Sequence, residues 1–179
     1  MKEVFKQCIE RIYIDKDFDF FRAKCAESAD YVSDLVELAE SQCEKSIVCD
    51  STNEPNVKIW FIYKSYFKGD FSAEFNTILK ISKICGVFVF QHEFSVKNIL
   101  PQKIAPVLDG YDANPYIKSQ WDLEDILSDF LTSKGLIKSD IIELNEVVGG
   151  VALPNPTIFG KQLTVENALF RDLYDILED

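Results

Sequence analysis

The single histidine, His92, is the side chain best suited to proton transfer, because imidazole titrates near neutral pH. It stands in Gln91-His92-Glu93, at the end of a strand pattern, where α/β proteins present ligands. Cys85 or Cys49 would be the nucleophile of a Cys/His pair. No local nucleophile signature surrounds either cysteine, so the pattern favours a hydrogen-bonded or solvated histidine over a general base. The five cysteines, Cys8, Cys25, Cys43, Cys49 and Cys85, are odd in number and contain no CxxC spacing. They read as reduced thiols acting as small hydrophobes, and one histidine with scattered cysteines makes no zinc set. Asp109, Asp112 and Asn114 supply oxygens but lack EF-hand spacing, so they read as a solvated turn. Lys68-Gly69-Asp70 puts an acid where a phosphate would approach, and Gly149-Gly150 precedes no helix start. No cofactor is implied.

Charge is the more informative property. Thirty acids against nineteen bases give a net charge of −11, which disfavours phosphate-backbone binding and anionic membranes and permits a basic partner. The imbalance is uneven. Residues 56–103 carry 3 acids and 7 bases, whereas residues 109–146 carry 9 acids and 3 bases. Asp122, Asp125 and Asp129 recur at helical spacing with few cations placed to balance them, a repulsion of about 0.2–0.5 kcal/mol per pair. Tyr111, Tyr116 and Trp121 lie among these acids and could anchor a desolvated contact. The candidate partner-binding residues are therefore Asp109, Tyr111, Asp112, Trp121, Asp122, Asp125 and Asp129.

The elements that would carry them suggest an α+β or α/β fold in one globular domain, residues 1–179. A small mixed sheet, with strands near 47–49, 57–66 and 87–94, is covered by amphipathic helices. Val4, Phe5, Cys8, Ile9 and Ile12 give a first helix over residues 2–13. Apolar positions at helical steps from Phe18 to about Glu44 give the longest helix, with a possible break near Ser28. Residues 57–66, apolar on both faces around Trp60, suit a central covered strand.

Residues 71–85 fit two patterns. Phe71, Ala73, Phe75, Thr77, Leu79 and Ile81 alternate as in a strand, while Ser72 as a cap and Gly86 as a C′ residue frame a helix. Length favours the helix and a parallel β-α-β unit; the strand reading would make an antiparallel meander. Residues 98–119 read as irregular, with 108–112 a surface loop. Helices follow from Trp121 to Gly135, from a Ser139 cap to Val148, and after a Thr164 cap, with a loop from Gly149 to Gly160.

The N-terminal residues are interrupted by charges and lack a signal-peptide apolar block, which implies the cytoplasm. In overall character the chain is similar to bacterial immunity or antitoxin proteins: small, acidic and poor in motifs. That resemblance implies a non-enzymatic protein that neutralises a basic toxin, such as a nuclease, by covering its active site. The alternatives are a small enzyme using His92, or a structural or adaptor domain.

Overall fold

The computed structural model describes residues 1–51, 53–100, 108–157 and 160–171, with the backbone alone for 152–157, 160 and 161. Its centre is an antiparallel meander. Strands β1 (Lys45–Asp50), β2 (Asn56–Ile62), β4 (Phe71–Ser82), β5 (Val87–Asn98) and β6 (Leu108–Asp112) lie side by side in that order. The short β3 (Tyr66–Lys68) pairs the far end of β4, and β7 (Ile137–Lys138) pairs β5 in parallel. The fold class is α+β.

Residues 71–85 are therefore not a helix. The alternating side chains belong to β4, whose odd-numbered residues Thr77, Leu79 and Ile81 are all buried. Length misleads here because β4 and β5 form one long hairpin, twelve residues each, paired from Phe71↔Asn98 to Ile81↔Phe88. Gly86, at φ +62°, serves the hairpin turn rather than a helix end. The expected strand 57–66 ends at Ile62, and Tyr66 starts β3 instead.

Two layers cover this sheet. On one face, α3 (Val32–Ala39) and α4 (Lys118–Ser133) bury Leu35, Ala39, Leu123, Leu127 and Leu131 against Ile59, Phe61, Leu79, Phe88 and Phe90. On the other, α1 (Glu3–Ile9), a π-helical turn (Glu10–Ile14), α2 (Phe18–Ala26) and α6 (Val165–Phe170) close over Ile84, Val87 and Val89. The expected 18–44 helix is thus two helices of opposite allegiance. The break falls at residues 27–31, where Ala29 turns inward and joins the core with α3.

The C-terminal third also departs from expectation. Asp140, not Ser139, caps the short α5 (Ile141–Leu144), by accepting the Glu143 N–H at 2.8 Å. The segment read as a loop is a hairpin, β8 (Val147–Thr157) with β9 (Gly160–Thr164), whose register shifts between Val147 and Ala152, around Gly150 at φ +81°. Thr164 does cap α6, accepting the Asn167 N–H at 3.2 Å. Leu173, Ile176 and Leu177 of the expected apolar face lie outside the described residues. Among the described residues, no helix is long and apolar enough to cross a membrane.

Candidate functional site

The acidic candidates fall on one continuous unit, β6, a five-residue connection and α4. Helix α4 is held to the sheet by side chains that its amphipathic pattern does not advertise. Gln120 is fully buried. Its Oε1 accepts the backbone N–H groups of Tyr116 (2.8 Å) and Ile117 (3.3 Å), and its Nε2 donates to the carbonyls of Asn76 (2.8 Å) and Glu93 (3.4 Å). One amide thus satisfies backbone donors at the start of α4 and fixes that end over β4 and β5. Gln120→Leu is expected to destabilise the protein by about 2 kcal/mol, because it strands those buried backbone groups without loss of volume. Urea unfolding measures it, and an unchanged midpoint would show that the anchor contributes nothing.

One turn further along, Glu124 meets His92. The imidazole is wholly buried, and its Nε2 lies 2.7 Å from Glu124 Oε2. Its Nδ1 lies 3.0 Å from Thr77 Oγ1, which in turn lies 3.1 Å from the Tyr63 hydroxyl. Lys138 Nζ donates to Glu124 Oε1 at 2.6 Å. A neutral ring with its proton on Nε2 satisfies every member of this chain. Burial pushes the Glu124 carboxyl up, but the hydrogen bonds from His92 and Lys138 outweigh it and hold the group below the usual carboxylate range. Desolvation raises the Tyr63 hydroxyl, so Tyr63 is a neutral hydrogen-bonding group.

The components of a hydroxyl–imidazole–carboxylate relay are therefore assembled, yet Thr77 and His92 expose nothing and Tyr63 closes the hydroxyl end. His92 occupies the hydrogen-bonded role favoured by its isolation in the sequence. It sits in mid-strand rather than at a strand end, because β5 runs on to Asn98. Among the described residues, no three His, Cys, Asp or Glu side chains converge as metal ligands.

With Gln120, Leu123, Glu124, Leu127 and Leu131 turned to the sheet, the helical period turns Trp121, Asp122, Asp125 and Asp129 away from it. Trp121 is 58 % exposed. Asp122 takes an ion pair from Lys118 at 3.1 Å; Asp125 and Asp129 have no ion pair within the described residues. Asp109, Tyr111 and Asp112 are on β6, a paired strand rather than a loop, and in the described residues β6 forms an edge of the sheet.

Register splits these three residues between faces. Asp112 stands opposite His92 and shares the α4 side, whereas Tyr111 and Asp109 stand opposite Glu93 and Ser95 on the other side. The N–H groups of Asn114 hold the Asp112 carboxyl below its ordinary range and turn the chain toward α4. Gly110 has a steric reason: a Cβ there would lie 2.8 Å from the Phe94 ring, which packs edge-on against Tyr116 at 4.7 Å.

The sheet also extends past the N-terminus of α4. Cross-strand pairing aligns Tyr66, Ala73, Val96 and Leu108 on the α4 side, with Phe71 next to them. Tyr66, Phe71 and Leu108 are all half exposed or more. This apolar shelf adjoins the acidic unit through β6 and was not legible as a site. The sequence pattern places Tyr66 in a covered strand and Phe71 on the apolar face of a helix; the hint is an unusual density of aromatics around a lysine-containing turn.

Compared with protein-family models, curated proteins and solved structures, the chain matches none.

Proposed function

We propose that the protein acts by binding, as an inhibitor of the immunity or antitoxin type in the cytoplasm, and that β6 and α4 cover the active site of a basic toxin such as a nuclease. The supporting observation is the composition of this unit. On the α4 side Asp112, Asp122, Asp125 and Asp129 accompany the exposed ring of Trp121, and Leu108 joins them to the apolar shelf, while Asp109 and the exposed ring of Tyr111 lie on the other face of the edge strand β6. An apolar and aromatic centre with a charged border is how binding energy and specificity are divided in protein interfaces. Clustered carboxylates would speed encounter with a cationic groove and pair with the Lys and Arg groups that a nuclease uses for phosphate. The backbone under them is held by Gln120 and the Glu124–His92 contact, so little ordering is needed on binding.

The test is a salt-dependent pull-down of the tagged protein from lysate of its source, followed by titration of the captured partner. A single basic partner, weakened by salt, is expected. Reversal of Asp122, Asp125 and Asp129 to Lys should weaken its binding by a factor of 100 or more while thermal unfolding stays within a few degrees. Equal affinity of the reversed variant would exclude this surface.

A further inference from the structure

Among the described residues the central sheet has two edges, β1 and β6, and they meet solvent differently. An edge strand presents a row of unpaired backbone N–H and C=O groups, and proteins discourage further pairing there with charges, proline, bulges or short length. β6 is blunted in this way: three of its five residues are Asp109, Gly110 and Asp112. β1 is not. It pairs β2 residue for residue from Lys45↔Ile62 to Asp50↔Val57, without a bulge. Its charges stand at its two ends, and the four residues between them, Ser46, Ile47, Val48 and Cys49, carry none. Ile47 and Val48, on opposite faces of the strand, are each 39 % exposed, and Cys49 is exposed as well. The setting is also close to neutral. Within residues 45–64, Lys45, Lys58 and Lys64 stand against Asp50 and Glu54, and Asp50 already has a cation, Lys83 at 2.8 Å. Two copies of a chain of net charge −11 repel one another least where they meet at such a corner.

We propose that β1 is a self-association edge: two copies of this chain pair β1 with β1, antiparallel about a twofold axis, and join their sheets into one. Symmetry limits the register. The axis stands perpendicular to the joined sheet, and residues opposite one another share a face, so their numbers must have an even sum. Three such registers pair most of the strand. Centred on Ile47, the pairing sets Glu44 opposite the partner's Asp50, a like-charge contact that is destabilising. Centred on Cys49, it sets Val48 opposite the partner's Asp50. Centred on Val48, it sets Val48 opposite Val48, Ile47 opposite Cys49, Ser46 opposite Asp50 and Lys45 opposite Ser51. The last register brings the apolar side chains together and gives each Asp50 a hydroxyl donor, with no like charges opposed. The contact closes as a dimer, because each copy contributes the same edge. β6 and its acids lie at the far edges of the joined sheet, so this inference holds or fails apart from the inhibitor reading. Six residues a side make a small interface, for which a dissociation constant of about 10–100 µM is expected.

The experiment is sedimentation equilibrium of the full chain under reducing conditions, at concentrations up to about 0.5 mM. A reversible monomer–dimer equilibrium is expected. Val48→Lys and Val48→Asp each set like charges against one another on the axis and should weaken the dimer by about 30-fold or more. An equimolar mixture of the two variants should associate again, because unlike charges then face each other. Position 48 is on an open edge, so both variants should keep the wild-type urea midpoint, and the wild-type measurement stands without them. A monomer over the whole range, assembly beyond the dimer, a dimer indifferent to both substitutions, or a mixture that stays monomeric would each overturn the proposal.

Discussion

Replacing His92 by Ala is expected to cost about 4 kcal/mol of unfolding free energy. The ring is wholly enclosed, and truncation leaves a cavity on the scale that costs 2–5 kcal/mol in other cores. It also removes the partners of Thr77 Oγ1 and Glu124 Oε2, although Thr77 keeps Tyr63 and the Glu124 carboxylate keeps Lys138 at Oε1. If His92 were present for catalysis alone, the same substitution would leave the stability of the fold intact. Equilibrium denaturation distinguishes the two directly.

The Glu124 end of this network also sets an acid limit. Its folded carboxyl titrates below the ordinary value of 4.5. Above that pH the carboxyl is ionised in both states and the full contribution is present. As the pH falls below it, the unfolded chain takes up the proton first, so stability declines until the folded carboxyl is protonated as well. Wild type minus Glu124→Gln, followed from about pH 6 to pH 3, should show this declining difference. A constant difference would mean that the carboxylate is not used in its charged form.

Lys83→Met is expected to cost about 3 kcal/mol, a fall in Tm of about 8 °C. The side chain is 4 % exposed. Its ammonium group meets Asp50 Oδ1 at 2.8 Å, the Ser51 carbonyl at 2.9 Å and the Cys25 carbonyl at 3.3 Å. Methionine keeps the stem but strands two carbonyls and leaves Asp50, itself partly exposed, without its cation. Because Lys83 joins the end of α2, the end of β1 and the β4–β5 turn, the loss should register in all three as faster hydrogen exchange. Protection unchanged at Cys25, Asp50 and Lys83 would contradict this account.

What the sequence discloses follows from how far each signal reaches. The α4 pattern and the Thr164 cap are local, and both are found where periodicity and side-chain chemistry put them. The acids on α4 face outward for the same reason. The β4 strand was ambiguous because its period is visible only once β2 and β5 lie beside it; alone, Phe71, Phe75, Ile78, Leu79 and Cys85 fit a helix equally well. Residues 18–44 kept helical spacing across a break, because Ala29 and Leu35 are apolar for a different core than Phe21 and Cys25. The roles of Gln120 and Lys83 are not readable in the sequence, and for His92 the type of role is readable but not its partners. Each depends on a partner in another element: Gln120 on Asn76 and Glu93, His92 on Thr77 and Glu124, Lys83 on Cys25, Asp50 and Ser51.

The Tyr13 hydroxyl donates to the Ala168 carbonyl at 3.1 Å across a separation of 155 residues, and Phe5, Ile9 and Ile12 share a core with Leu163, Val165 and Leu169. The meander, by contrast, is built from neighbours in the chain. The layer built on α1 and α6 therefore closes far longer loops than the meander does, and loops that long slow folding. During synthesis the hairpins and α4 can pair soon after they emerge, whereas α1 has no complete partner surface until residue 170 has left the ribosome. The nascent chain must hold an amphipathic helix and a half-covered sheet until residues 163–170 have emerged, so α1 is the segment on which a chaperone would act.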